Sequence, residues 1–172
     1  MDINRTYHFE NVWGDKPAAL GEEIKAFWQK WQALPDGADA DSRVAQVIYV
    51  VRDPEQQIAG IGSAYYSHVA RLNQYFYIYR TFIAPELRRT YAAKDLLLAS
   101  RKFLEQYNSE QQQQKALGIL LEVENQVLKY GGITVKRAVW KDTGFVYIGT
   151  SRQGAHMRVY YFDGALIEPN DQ

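Results

Sequence analysis

The sequence predicts an α/β fold, a mixed twisted sheet of six to seven strands flanked by helices on both faces. Two observations carry this. Strand-like runs of alternating or β-branched residues recur around two amphipathic helical stretches, which is the element order of an α/β domain. Residues 75–83 carry aromatics on both sides, with Tyr75, Tyr77 and Tyr79 on one and Phe76 and Phe82 on the other, as suits a central strand covered on both faces. At 172 residues, 47% of them apolar and 14% aromatic, the chain holds one ordinary domain's worth of material, and residues 1–172 are read as a single domain.

Residues 7–13 alternate weakly and read as an edge strand. After Pro17, a favoured first-turn residue, Leu20, Ile24, Phe27, Trp28, Trp31 and Leu34 recur at spacings of three and four, with Glu22, Glu23, Lys25, Gln29 and Lys30 between them, so a helix is expected until Pro35-Asp36-Gly37. The stretch through Ser42 is polar and turn-forming, and regular structure is expected to resume at Val44. Residues 44–52 and 58–67 flank Asp53-Pro54-Glu55-Gln56 and predict a hairpin. Residues 75–83 follow as a strand in which Arg80 is the misfit. A guanidinium there needs a partner: it faces an acceptor cavity and holds a carboxylate, or it pairs structurally with Glu122 or a helix acid, the structural role being the favoured one.

From Tyr91 a second helix is expected, with Ala93, Leu96, Leu97, Ser100, Phe103 and Leu104 as its apolar stripe. Residues 108–114, with four consecutive glutamines, read as a solvated turn. Residues 116–123 predict a strand. Beyond Glu124 the pattern is mixed: a short helix near Asn125, a break at Gly131-Gly132, and helix again over 135–141. Residues 145–150 and 157–162 form a closing hairpin around Arg152-Gln153-Gly154.

Composition removes several classes of function. Lys+Arg and Asp+Glu number 20 each, so no net field draws the chain to nucleic acid or an anionic membrane, and neither partner is expected. A nucleic-acid reading built on Arg88, Arg89 and nearby aromatics ranks last. With no cysteine, disulfides, thiolate nucleophiles and Cys-ligated zinc are excluded, and the loosely spaced His8, His68 and His156 make no metal site. No apolar run approaches the roughly 18 residues a membrane span needs, and residues 1–5 show no signal-peptide pattern, so a cytoplasmic protein is expected.

Chemistry concentrates where a strand runs through a short loop into a helix, because the unpaired N–H groups at the helix start favour anions. That loop is Glu86-Leu87-Arg88-Arg89-Thr90-Tyr91-Ala92-Ala93. The run Phe82-Ile83-Ala84-Pro85-Glu86-Leu87-Arg88-Arg89 leading into Asp95-Leu96-Leu97, then Leu121-Glu122-Val123 and Lys141-Asp142-Thr143-Gly144-Phe145, resembles the GNAT superfamily of acyl-CoA N-acyltransferases. The resemblance spans roughly residues 44–162, and the first strand and helix fit that family's N-terminal arm.

The resemblance implies a GNAT-like fold that transfers an acyl group, acetyl being expected, from acetyl-CoA to a primary amine on a small molecule or peptide. It implies that the strands ending at Ile83 and near Val123 splay apart around the pantetheine arm, which pairs with the backbone of Phe82 and Ile83. The pyrophosphate is expected on Arg88, Arg89, Thr90, Tyr91, Ala92 and Ala93. Two departures stand out. Tyr91 occupies the place of the family's first loop glycine, where a side chain obstructs phosphate or reroutes the chain. Trp140 occupies the place, four residues before the Gly-Phe pair, where many members carry a tyrosine that protonates the leaving thiolate. Tyr130 and Tyr147 lie nearby in sequence, and the family's helix-borne Asn corresponds to Asn125.

An amine acceptor needs a base, and Glu122, near the end of its strand, is the catalytic candidate, ahead of Glu124. His68 reads as a surface group at a strand end, and Tyr75, Tyr77 and Tyr79 read as core before pocket. The alternative function is a GNAT-like binding or assembly module that has lost CoA binding, homodimeric through its aromatic-rich closing hairpin.

Overall fold

The computed structural model describes residues 7–88, 90–113, 115–123 and 138–167. Its elements are β1 (His8–Asn11), α1 (Ala18–Trp31), α2 (Ala40–Ala45), β2 (Val47–Arg52), β3 (Ile58–Val69), β4 (Gln74–Ile83), α3 (Ala92–Glu110), β5 (Gly118–Val123), β6 (Val139–Trp140), β7 (Phe145–Thr150) and β8 (His156–Tyr161). The strands form one mixed sheet in the order β1-β2-β3-β4-β5-β8-β7-β6. That is eight strands among the described residues against the six to seven expected. The chain divides into two compact units, Met1–Ala64 with Arg80–Ser100 and Tyr65–Tyr79 with Arg101–Gln172.

In the first unit, α1 buries Ile24, Phe27 and Trp28 against Val12, Val47, Val50, Ile61 and Ala84. Each fully buried aliphatic side chain contributes on the order of 2 kcal/mol. The helix stops at Gln32, three residues ahead of Pro35, because Gln32 turns left-handed (φ 48°) and donates its N–H to Gln29. Val44 does not resume the sheet. It lies in α2, which Asp39 caps by accepting the N–H groups of Asp41 and Ser42 at 3.1 and 3.2 Å. The Ser42 bonds also hold the Asp39 carboxyl below its usual range. This local capping outweighs the β-branched count that suggested a strand from residue 44.

β2 and β3 form the expected antiparallel hairpin, and β1 is the edge strand, pairing with β2. Adjacent strand residues point to opposite faces. Val50 joins the α1 core, while Val51 joins Ala59, Ile83, Leu87, Ala92 and Leu96 beneath the start of α3, so helices cover both faces here. Arg52 gathers three segments: Nε donates to Glu10 at 2.8 Å, and Nη1 donates to Glu23 at 2.7 Å and to the Gln56 carbonyl at 2.8 Å. Arg80 donates to the Gln46 side-chain oxygen, a neutral amide at the end of α2.

In the second unit, β4 and β5 pair in parallel from Tyr77↔Ile119 to Tyr79↔Leu121, and β5 pairs antiparallel with β8 over six residues. Phe76, Leu117, Leu120, Met157 and Val159 form its core. Tyr77 and Tyr79 are buried as expected of core residues, but Tyr75 is 45% exposed and stacks on Tyr66 at 4.9 Å. The turn expected over 108–114 is not simply solvated: residues 108–110 belong to the last turn of α3, and Asn108 is buried and hydrogen-bonded to Ala116. Val139 and Trp140 are strand and not helix, paired with Val146 and Phe145, because Gly144 turns left-handed (φ 77°) and donates to the Trp140 carbonyl at 2.7 Å. The features expected at Asn125 and Gly131-Gly132 lie outside the described residues.

Candidate functional site

β4 leads through Ala84 and a 3-10 turn at Pro85–Leu87 toward α3, the strand–loop–helix order read from the sequence. Gly60 makes room for the strand's last residue: a Cβ there would stand 2.6 Å from Ile83 Cδ1. Phe82 packs edge-on to Phe27 at 5.8 Å. The Arg88 side chain folds back over this segment, with Nε donating to the Ile83 carbonyl at 3.2 Å and the guanidinium 5.6 Å from the Phe82 ring. Three of the predicted cofactor residues, Phe82, Ile83 and Arg88, are thus brought together. Arg89 lies outside the described residues.

The start of α3 is organised by Thr90. Its hydroxyl donates to the Leu87 carbonyl at 2.8 Å and accepts the Ala92 N–H at 3.1 Å. One amide expected to face a diphosphate is therefore already engaged by a side chain. Tyr91 does not fill the loop. It is 75% exposed, its ring carries the Lys94 ammonium at 4.8 Å, and it is not among the left-handed residues. The chain takes a path here that does not need glycine. Ala92 is buried and Ala93 half-buried against the first unit's core.

In the second unit, Glu122 is exposed between the buried Leu121 and Val123, and in the β5–β8 ladder it lies opposite Met157. Strand alternation puts its side chain on the face of Leu120 and Met157, opposite to that of Leu121 and Val123. Trp140 offers no hydroxyl, and its indole face is covered at 4.2 Å by the guanidinium of Arg158, which is 1% exposed. Burial pulls the Arg158 pKa down. Tyr147, 39% exposed, shares a hydrogen bond with Thr150 at 3.0 Å and meets the His156 ring edge-on at 5.2 Å. His68 is exposed against the Tyr75 ring. Glu124, Asn125 and Tyr130 lie outside the described residues.

Sequence reading missed Arg71, Gly149 and Met157. Arg71, between β3 and β4, carries no motif, yet it crosses to β7, where Nη1 donates to the Thr150 carbonyl at 2.9 Å. A solvent-open hollow of about 800 Å³ lies on the first unit, lined by Lys25, Trp28, Gln29, Leu34, Pro35 and Asp36. None of the residues predicted for chemistry lines it. No helix among the described residues is long and apolar enough to cross a membrane.

Neither a family model nor a curated protein matches the sequence. Solved structures do match the fold. An acetyltransferase of the GNAT family from Streptococcus pneumoniae superposes with a TM-score of 0.61 at 11% identity, covering 91% of this chain and 99% of that one. The chain has the GNAT acyltransferase fold. The ribosomal-protein-S5-alanine acetyltransferase of Vibrio fischeri gives a TM-score of 0.61 at 14% identity, covering 94% of this chain and 96% of that one. AtaTR, solved with acetyl-CoA bound, gives 0.55 at 14% identity, covering 89% and 92%. At such identities GNAT likeness extends to architecture, and the chemistry has to be argued from this chain's own residues.

Proposed function

We propose that the chain is a single GNAT-like domain acting as an acyl-CoA-dependent N-acyltransferase, moving acetyl from acetyl-CoA to a primary amine. The observation that carries this reading is the coverage of more than nine-tenths of the chain by GNAT acetyltransferase folds, one of the similar structures being solved with acetyl-CoA. In this reading the backbone of Phe82 and Ile83 pairs with the pantetheine arm. Arg88, Arg89, Thr90, Tyr91, Ala92 and Ala93 hold the pyrophosphate through main-chain N–H groups and guanidinium charge. The outward Tyr91 ring keeps its bulk out of the loop, while the N–H groups of Arg88, Thr90 and Ala92, now held by Pro85, Leu87 and the Thr90 hydroxyl, would exchange those partners for phosphate oxygens.

Glu122 takes a proton from the acceptor ammonium. The freed amine attacks the thioester carbon, an N–C bond forms, the nitrogen gives up its second proton to solvent, the C–S bond breaks, and CoA leaves as thiolate. With tryptophan at position 140, the thiolate takes its proton from solvent or another group.

A binding or assembly module is the second reading, and the Thr90 hydroxyl seated on the Ala92 N–H favours it. A thermal-shift titration with acetyl-CoA, CoA and pyrophosphate separates the two, because a ligand of the folded state raises its stability by mass action. The transferase reading expects acetyl-CoA to raise the melting temperature, and the double variant Arg88→Ala/Arg89→Ala to reduce that rise. No shift at millimolar acetyl-CoA selects the module. An unchanged shift in the double variant means that the phosphate lies elsewhere.

A further inference from the structure

Arg71, at the tip of the β3–β4 hairpin, is held in place on the second unit. Besides its bond to Thr150, its Nη1 lies 3.8 Å from the Met157 sulfur. The guanidinium occupies a space left by a missing side chain: a Cβ on Gly149, whose φ is +131°, would stand 2.9 Å from Nη2. Gly149 is opposite Met157 in the β7–β8 ladder, and Met157 is opposite Glu122 in the β5–β8 ladder. Directly opposed antiparallel residues share a face, with Cβ atoms about 4.5–5.5 Å apart. Glu122, Met157 and the Gly149 seat therefore form one row, with a carboxylate at one end, a guanidinium at the other and a thioether between.

Both charged residues are exposed, and among the described residues no side chain pairs with the Glu122 carboxylate. The two are not within ion-pair distance of each other, because Thr150 and the glycine seat hold Arg71 back. Half-buried Ile78 and Ile148 pack against the same core as Met157. Opposite charges kept apart at fixed positions complement a molecule carrying the reverse pair, whereas a plain amine would leave a cation facing the guanidinium.

We propose that this row binds an acceptor that is both amine and anion, its nitrogen at Glu122 and its own carboxylate or phosphate at Arg71. The binding stands on the row alone, and its consequence for catalysis rests on the transferase reading. In turnover Glu122 removes the proton from that nitrogen, the N–C bond forms as the C–S bond breaks, and the acceptor's anion stays on Arg71 unchanged.

The chain contains two methionines, Met1 and Met157, so carbon-13 methyl labelling of methionine makes the Met157 methyl a reporter within the row. The probes are L-leucine against L-leucinamide for a carboxylate, and O-phosphoethanolamine against ethanolamine for a phosphate. At least one anion-bearing amine is expected to shift the Met157 resonance saturably, about tenfold or more tighter than its counterpart lacking the anion, as a charge-assisted contact provides. Arg71→Gln is expected to abolish that preference, Arg71→Lys to retain part of it, and Glu122→Gln to weaken binding of the same amine. No saturable shift with either anion-bearing amine at millimolar concentration overturns the inference. Equal response to the probes lacking the anion, a preference unchanged in Arg71→Gln, or binding unchanged in Glu122→Gln also overturns it.

Thiol release from acetyl-CoA, assayed on the same panel, tells the two readings apart. Release with no preference for anion-bearing amines keeps the transferase and overturns the row's part in turnover. A selective Met157 response without thiol release from any amine keeps the row and overturns the transferase.

Discussion

Asn108 and Ala116 close a two-bond ring across the turn between α3 and β5. The Asn108 carboxamide oxygen accepts the Ala116 N–H at 2.8 Å, and its nitrogen donates to the Ala116 carbonyl at 3.1 Å. Both residues are buried, so Asn108→Ala strands two backbone groups away from water. A loss of about 2–4 kcal/mol in urea unfolding is expected. Asn108→Asp, which replaces the donor with a buried anion, is expected to be at least as damaging at neutral pH. A loss within experimental error in both variants would show that solvent satisfies Ala116 and that the ring is incidental.

Two glycine-to-alanine changes are expected to act in opposite directions. A Cβ on Gly118 would stand 1.9 Å from the Tyr160 carbonyl oxygen, so Gly118→Ala cannot keep the β5–β8 ladder and is expected to lose about 4 kcal/mol or more, or to fail to fold. On Gly21, in α1, a Cβ meets only the Val44 side chain at 3.6 Å, and Gly21→Ala is expected to stabilise by about 0.5–1 kcal/mol through helix propensity. Thermal melts of the two variants side by side check both signs.

Burial pushes the Tyr77 phenol up to about 12, from an ordinary value of 10.0, with Tyr107 and Tyr66 adding to the rise. The folded state thus favours the neutral phenol. Its contribution is complete below pH 10 and is lost as pH climbs from 10 toward 12. Alkaline unfolding followed by circular dichroism should therefore steepen in that window, and Tyr77→Phe should flatten it. An ordinary phenol titration for Tyr77 in the folded protein would contradict the burial argument.

If the Thr90 hydroxyl competes with a phosphate oxygen for the Ala92 N–H, Thr90→Ala should bind CoA more tightly while lowering stability by about 1 kcal/mol through loss of the cap. Calorimetric titration beside a denaturant curve measures both. Weaker CoA binding in the variant would instead make the hydroxyl itself a phosphate ligand.

Much of the fold was legible because its signals are local. The apolar spacing of α1, the β-branched run of β2 and the strand-like run of β3 around Asp53-Pro54-Glu55-Gln56, and the closing hairpin around Arg152-Gln153-Gly154 each sit within one short window. α2 was missed because a six-residue helix has no room for a repeating stripe and depends on Asp39 alone at its start. β6 was missed because a two-residue strand exists only through its partner. The loop residues before α3 were placed by element order, but the outward turn of Tyr91 and the back-folded Arg88 depend on contacts that no spacing encodes. Arg71 was hidden for the same reason: its partner Thr150 is 79 residues away in sequence.

The cluster at Arg52 governs how the sheet meets its surroundings. β1 is only four residues long and forms the rim of the sheet, and a bare rim offers main-chain groups on which a foreign strand can grow. With Glu10 of that rim fastened to Arg52, and Arg52 in turn to Glu23, the short strand carries fixed charge where an incoming chain would add. Neutralising the two acids by Glu10→Gln and Glu23→Gln should leave a protein that still folds but clumps at concentrations the native chain tolerates, which makes this trio a guard against polymerisation as much as a brace.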